Sequence, residues 1–311
     1  MIMSRKRTLL LMLSMLLAIS IWLPLTARGA SEHSPTEQVV TVTDSRGITL
    51  SLRSYPQRIV SLSPNITETI FALGGSDRLV GITDYCDYPE ATRDIPTVGD
   101  LLTPNVERIV ALEPDLVIIS NLGQLQTIEA IERTGIPVSF IDEPESMEGT
   151  YEIITKTGLL IGKAEEAQLL IESMQKTMAD ISGIASEPHP TVYYVAGFGE
   201  WGDFTATGDT FIHDIITRAG GDNIASDAVN WSFQLELLHA YDPDIIILPP
   251  LWGTTFEETL QQFVDHPSYA PLSAVQAGRI ITIDNNIIER QGPRSAQAAM
   301  QLAEQFLMHA R

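Results

Sequence analysis

Two stretches of the sequence share one pattern, NVERIVALEPDLVII at residues 105–119 and QLELLHAYDPDIIIL at residues 234–248. In each stretch a glutamate, Glu107 or Glu236, stands seven residues before a Pro-Asp pair, and an apolar run rich in β-branched residues follows the pair. Proline ends a helix, and an uninterrupted apolar run is typical of a parallel strand that is buried on both faces. The repeat therefore predicts a helix–turn–strand unit that is used once in each of two similar α/β lobes.

The segments around each unit alternate between short apolar runs and helix-forming runs, which predicts a parallel sheet covered by helices. The alternation starts after a predicted β-hairpin at 40–52 and begins again at about residue 190. Near the first strand, Asn65 and Glu68 have the spacing of a capping box, so we expect them to cap the helix that follows. The predicted fold class is α/β, with two Rossmann-like lobes built on parallel sheets. The strands of the first lobe are predicted at 58–63, 78–83, 115–120 and 137–142, and those of the second at 191–197, 244–248 and 279–284.

Residues 163–184 form a stretch of good helix formers without proline, and without glycine before Gly183. Such a stretch is too stiff for a flexible linker. It predicts one long helix between an N-terminal lobe at 38–145 and a C-terminal lobe at 188–311, within a connecting segment at 146–187.

The N-terminus has the layout of a secretory signal peptide. Three basic residues at 5–7 precede an uncharged run from Leu9 to Leu25, and the small residues Ala27 and Gly29 follow at the spacing that a signal peptidase needs. A membrane anchor is the alternative, because the run is nearly long enough to span a bilayer. The small residues favour cleavage after about residue 29, and no cysteine ends the run, which argues against a lipid anchor. We therefore expect a periplasmic protein, and its single cysteine, Cys86, allows no intramolecular disulfide.

The formal net charge is −21, although residues 1–29 contribute four basic residues and no acid. A strongly acidic surface repels nucleic acid and anionic lipid headgroups. We expect neither as a partner, whereas a protein with a basic docking face would suit this chain.

Signals of catalysis or of metal binding are weak. The stretch GFGEWG at 197–202 fits the dinucleotide fingerprint, but the residues after it do not resemble the start of a helix. The six histidines show no metal-ligand spacing, and there is no nucleophile elbow around a serine. We therefore expect no catalytic residues, no metal site and no resident cofactor, and an exported α/β enzyme remains the less favoured alternative.

Besides the two copies of the repeat, three stretches are distinctive, namely RIVSLSPNITETIFALGGSDRLVGIT at 58–83, DYCDYPE at 84–90 and AGGDNIA at 219–225. Together these stretches resemble the substrate-binding proteins of ABC importers for cobalamin, haem and iron-siderophores, and the cobalamin-binding members most closely. The resemblance implies two α/β lobes joined by one long helix, a ligand in the cleft between them, no enzymatic activity and a monomeric protein.

The same resemblance implies a role for the repeated glutamates. In this family each lobe presents one glutamate to arginines of a permease dimer, and Glu107 and Glu236 match those positions. One carboxylate in each lobe suits docking on a two-fold symmetric partner through charge-assisted pairs. The alternative is two solvated glutamates that the helix dipole favours at helix starts.

Candidate ligand contacts come from aromatic side chains in loops after predicted strands, where clefts of α/β proteins bind ligands. The resemblance places Tyr85, Trp231 and Arg290 at ligand contacts. It also shows departures, since Leu101 and Asn286 replace a tryptophan and an aspartate of cobalamin-binding members, and residues 120–121 replace another tryptophan. A corrinoid is the predicted ligand, with haem or an iron-siderophore as the alternative. The full predicted set is Tyr85, Trp201, Phe204, Trp231, Trp252 and Arg290.

Overall fold

The structure is a computed structural model that describes residues 40–120, 124–185, 188–199, 202–251 and 253–309. The predicted signal peptide at 1–29 lies outside the described residues, and so do Trp201 and Trp252. Within the described part of the chain, no helix is long and apolar enough to cross a membrane.

The N-terminal lobe begins with the predicted hairpin, in which β1 (Val40–Thr43) pairs antiparallel with β2 (Thr49–Leu52). A four-stranded parallel sheet follows, in the order β4-β3-β5-β6. Its strands are β3 (Ile59–Ser61), β4 (Leu79–Ile82), β5 (Leu116–Ser120) and β6 (Val138–Ile141). Its helices are α1 (Pro64–Ala72), α2 (Val106–Ala111) and α3 (Leu125–Glu132), with 3-10 turns at Ser76–Arg78 and Glu90–Asp94.

The C-terminal lobe repeats this arrangement with a second parallel sheet in the order β10-β9-β7-β8. In both lobes the first strand lies between the second and the third, and the fourth strand follows the third. The strands are β7 (Thr191–Tyr194), β8 (Asp222–Asn223), β9 (Ile245–Ile247) and β10 (Ile280–Ile281). The helices are α6 (Phe211–Arg218), α7 (Leu235–Tyr241), α8 (Phe256–Asp265), α9 (Ser273–Gln276), α10 (Asn285–Ile288) and α11 (Ser295–His309). The predicted fold class is confirmed.

The aspartate of each Pro-Asp pair has a structural role that explains its repetition. The carboxylate of Asp115 accepts hydrogen bonds from the backbone N–H groups of Gln57 and Arg58, at 2.8 and 3.0 Å, just before β3. In the second lobe Asp244 accepts from the backbone N–H of Thr191 at 2.9 Å and from its hydroxyl at 2.8 Å, at the start of β7. Each aspartate therefore ties the third strand of its sheet to the first.

Two helices lie between the sheets in the sequence, α4 (Met147–Ile161) and α5 (Ala164–Ser182). Gly162, in the left-handed conformation with φ of 70°, ends α4 as the C-cap. The predicted helix over 163–184 corresponds to α5, which packs against α4 and α11.

The apolar core continues from one sheet to the other. A single cluster of buried side chains includes Ile59 of β3, Met147 and Ile154 of α4, and Tyr194 of β7. Burial of this kind is the dominant favourable contribution to folding, and a shared core resists relative movement of the parts that it joins. We therefore expect the cleft described below to change little in width.

Candidate ligand-binding site

A cavity of about 480 Å³ opens between the two lobes, within the usual range for small-molecule sites. It lies at the carboxyl ends of strands, since it is lined by Ser120, the last residue of β5, and by residues that follow β3, β4, β6 and β10. The lining residues from the first lobe and the connecting segment are Ser63, Pro64, Asn65, Tyr85, Leu101, Ser120 and Glu145. Those from the second lobe are Phe211, Ile212, Trp231, Asn286, Glu289, Arg290 and Gln291.

Among the described lining residues, Tyr85 and Trp231 are the two large aromatic side chains that remain open to solvent, at 52% and 40% exposure. They belong to different lobes, so a flat ligand could contact one ring from each. Trp231 has a φ of 61°, a left-handed conformation that is costly for a tryptophan. Two hydrogen bonds of its backbone hold Trp231 in this conformation. Its backbone N–H donates to the Thr207 hydroxyl at 3.0 Å, and its backbone carbonyl accepts from the backbone N–H of Thr205 at 3.0 Å.

Of the six predicted ligand contacts, Tyr85, Trp231 and Arg290 line the cavity. Phe204 is 42% exposed and is absent from the lining, although a β-bridge places it beside Ser232, next to Trp231. The departures from the cobalamin-binding pattern also lie at the cavity, as Leu101, Ser120 and Asn286.

The floor of the cavity contains a chain of polar side chains that sequence reasoning missed. The Ser120 hydroxyl donates to Asn65 Oδ1 at 3.0 Å, and Asn65 Nδ2 donates to the carbonyl of Gln291 at 3.2 Å. The Gln291 amide in turn donates to the carbonyl of Pro144 at 2.7 Å. Asn65 and Gln291 come from different lobes, so this chain of hydrogen bonds closes the floor of the cleft.

The predicted capping box is wrong. Helix α1 begins at Pro64 with Ser63 as its N-cap, and no side chain caps it. Proline already sets the backbone angle of a first helical turn and has no N–H to satisfy. Asn65 and Glu68 lie within the helix, both are buried, and both bind partners in the second lobe.

Glu68 is the centre of a cluster of charges beside the cavity. Its carboxylate accepts from Nε and Nη2 of Arg294, both at 2.7 Å, and from Nη1 of Arg290 at 2.9 Å. Nη1 of Arg290 also pairs with Asp87 at 2.7 Å, and its Nη2 donates to the carbonyl of Tyr85 at 3.3 Å. Because Tyr85 and Asp87 follow β4, Arg290 holds the loop that carries Tyr85.

The protein shifts the pKa of two neighbouring ionisable groups of the lining, Arg290 and Glu289. Burial disfavours the charge of Arg290, but its bonds to Asp87 and Glu68 raise its pKa, so it stays a cation. Desolvation by the surrounding protein raises the pKa of Glu289, although the hydroxyl of Tyr194 donates to its Oε1 at 3.3 Å. Glu289 therefore takes up a proton more readily than a solvated glutamate does.

The repeated glutamates occupy the same place in both lobes and lie away from the cavity. Glu107 is in the first turn of α2 and Glu236 in the first turn of α7, and both are exposed. Asn105 caps α2 by accepting from the backbone N–H of Arg108.

Metal binding and a reactive thiol have little support in the described part of the chain. There, no group of three His, Cys, Asp or Glu side chains could hold a metal ion. Cys86 is buried beside the hydroxyls of Thr67 and Thr83, and burial raises the pKa of its thiol. A thiol in such surroundings is poorly reactive.

Comparison with known proteins gives the family. The chain matches the periplasmic binding protein family over residues 59–287. It belongs to that family. A sequence relative is an uncharacterised ABC transporter substrate-binding lipoprotein of Bacillus subtilis, 27% identical over 85% of this chain and 84% of the relative. Another is a cobalamin-binding protein of Halobacterium salinarum, 29% identical over 86% of this chain and 74% of the relative.

Among solved structures, the periplasmic haem-binding protein RhuT of Roseiflexus is similar, with a TM-score of 0.74 and 28% identity over 82% of this chain and 99% of the other. These relatives are transport proteins and not enzymes. This chain is thus a periplasmic binding protein, and its relatives include a substrate-binding lipoprotein of an ABC transporter, a cobalamin-binding protein and a haem-binding protein.

Proposed function

We propose that this periplasmic binding protein captures a corrinoid in the inter-lobe cavity and delivers it to its permease. The observation that carries the proposal is the charge of the lining. Two carboxylates, Glu145 and Glu289, line the cavity, and among its described lining residues the one guanidinium, Arg290, already pairs with Glu68 and Asp87. A ligand with carboxylate groups would find no cation without an acidic partner among these described residues, which costs affinity.

Corrinoids suit such a cavity because their periphery carries uncharged amide groups. The side-chain amides of Asn65 and Asn286 can donate to such groups, and the hydroxyl oxygen of Ser120 can accept from them. The rings of Tyr85 and Trp231 offer flat apolar faces to the macrocycle. A relative that is described as a cobalamin-binding protein supports the same assignment.

Haem is the second candidate. A structural relative is described as a haem-binding protein, and the exposed hydroxyl of Tyr85 is a possible iron ligand. Haem carries two propionate carboxylates, however, and the described lining offers no cation that lacks an acidic partner. The charge of the lining therefore favours the corrinoid.

Titration calorimetry of the mature protein separates the candidates. We expect one-to-one, submicromolar binding of cyanocobalamin, and weaker binding of haemin and of a ferric hydroxamate siderophore. Tighter binding of haemin than of cyanocobalamin would overturn the corrinoid assignment and leave the family unchanged.

We further propose that Glu107 and Glu236 dock the protein on a two-fold symmetric permease dimer, one glutamate to each subunit. Support comes from their equivalent positions in two lobes of the same topology and from their exposure. We expect the double variant Glu107→Ala/Glu236→Ala to lose ligand uptake in cells and to keep its ligand affinity. Glu129→Ala/Glu257→Ala, which removes one exposed glutamate from each lobe, is the matched control, and uptake by the docking variant at the control's rate would refute the role.

The proposed site of action is the periplasm, reached through a signal peptide that is cleaved after about residue 29, with the mature protein as a monomer. N-terminal sequencing and the sedimentation of the exported protein test these two points. An uncleaved N-terminus or a stable dimer would contradict them.

A further inference from the structure

Glu68 is a buried charge whose position has no role in the cavity lining itself. Its side chain is 3% exposed, and it lies in the middle of α1. Its two partners, Arg290 and Arg294, come from the other lobe, 222 and 226 residues later in the chain. A buried carboxylate without partners is strongly unfavourable, so the three groups depend on one another.

Arg294 holds Glu68 in place. The two-pronged contact, Nε to Oε2 and Nη2 to Oε1, is the geometry in which arginine binds a carboxylate most specifically. The guanidinium also stacks over the ring of Tyr88, with its central carbon 4.0 Å from the ring centroid. Glu68 therefore stays directed at Arg290.

Arg290 lies in the cavity wall, and carboxylates of the protein already neutralise its charge. One of its terminal nitrogens, Nη1, pairs with both Glu68 and Asp87, and the other donates to a backbone carbonyl. A carboxylate of a ligand would have to displace Asp87 or remain beside two acidic groups. Either event weakens the binding of an anion.

We infer that Glu68 and Asp87 determine whether the site prefers a charged or an uncharged ligand. Both carboxylates pair with Arg290 in the cavity wall and neutralise its charge, so the site favours ligands with uncharged amide groups over ligands with carboxylates. Glu68 acts through Arg290 and is a positioning residue. The inference rests on the proposed function, since it explains how the site would prefer a corrinoid to haem. Specificity of this kind comes from a repulsive element against the wrong ligand.

The experiment compares three probes, namely haemin, haemin dimethyl ester and cyanocobalamin, on the full mature chain. The ester has the same macrocycle without carboxylates. In the double variant Glu68→Gln/Asp87→Asn, Arg290 no longer has a carboxylate partner and can pair with a carboxylate of the ligand. We therefore expect the affinity for haemin to rise at least about tenfold, which corresponds to one charge-assisted hydrogen bond. The affinities for the ester and for cyanocobalamin should change by less than about threefold, because neither offers a carboxylate.

Three further variants keep the test decisive. Asp87→Asn alone changes a side chain that is 56% exposed, so it should fold even if the double variant does not, and it should give a smaller gain for haemin only. Asp84→Asn removes an exposed acid from the same loop and should leave the ratio of haemin to ester affinity unchanged. Adding Arg290→Gln to Asp87→Asn should abolish the gain.

The outcomes separate the two proposals. The preference of the wild-type protein between cyanocobalamin and haemin tests the proposed function. The change in the haemin-to-ester ratio between wild type and variants tests the inference, whichever ligand the wild type prefers. An unchanged ratio in folded Asp87→Asn, or an equal gain for haemin and its ester, would overturn the role of Glu68 and Asp87.

Discussion

Replacing Trp231 with alanine should weaken ligand binding by an amount that follows from its exposure. A tryptophan side chain presents about 250 Å² when fully exposed, and Trp231 keeps 40% exposure, so about 100 Å² remains for the ligand to cover. At about 25 cal/mol per Å², full coverage contributes about 2.5 kcal/mol. Half coverage contributes about half of that, so we expect the dissociation constant to rise between about 8-fold and about 60-fold.

Titration calorimetry measures this change without relying on tryptophan fluorescence. Tyr241→Ala is the matched control, because Tyr241 is an aromatic residue that is 58% exposed and does not line the cavity. Trp231→Gly should bind the ligand as weakly as Trp231→Ala. Its free energy of unfolding should be about 1 kcal/mol higher than that of Trp231→Ala, because glycine adopts the left-handed conformation without strain. Binding by folded Trp231→Ala within about twofold of wild type would show that the ligand does not cover this ring, and would refute the reasoning.

Two further predictions concern stability. Asp115→Ala removes the acceptor of two backbone N–H groups before β3, and because the site is exposed we expect a loss of about 1–2 kcal/mol in the free energy of unfolding by urea, with ligand affinity unchanged. A loss of affinity together with stability would mean that this tie also shapes the cavity. Desolvation raises the pKa of Glu289 in the folded state, so its contribution to stability is fully present below the unfolded pKa of about 4.3 and is lost as the pH rises through the folded pKa. Glu289→Gln should therefore flatten the decline of stability with pH above about 4.3, measured by urea unfolding across a pH series, and an unchanged slope would contradict it.

The repeated unit was readable from sequence because its causes are local. Proline, the apolar period and the spacing between them act within about fifteen residues, and they specify the same helix, turn and strand in both copies. The parallel pairing of the strands followed from the rule that strands joined by helical crossovers form parallel sheets. The role of Asp115 was not apparent, because its partners lie 57 and 58 residues earlier in the chain.

The candidate site was only partly readable. The sequence predicts Tyr85 and Trp231 as ligand contacts, because they are aromatic residues of loops and match positions of the family pattern. Both line the cavity. Asn65 and Glu68 were misread, because their spacing also fits a helix cap and a capping box is a purely local pattern. Their actual partners, Gln291 and Arg294, are both 226 residues away.

The sequence by itself thus determined the two α/β lobes, the long helix between them and the exposed glutamate at the same helix position in each lobe. Those features depend on periodicity and on turn chemistry, which neighbouring residues carry. Only the tertiary structure decided which polar groups meet across the cleft, and hence that Arg290 enters the cavity wall already paired. The physical reason is that the cost of burying Glu68 depends on partners from the other lobe, and no local pattern records which distant groups supply them.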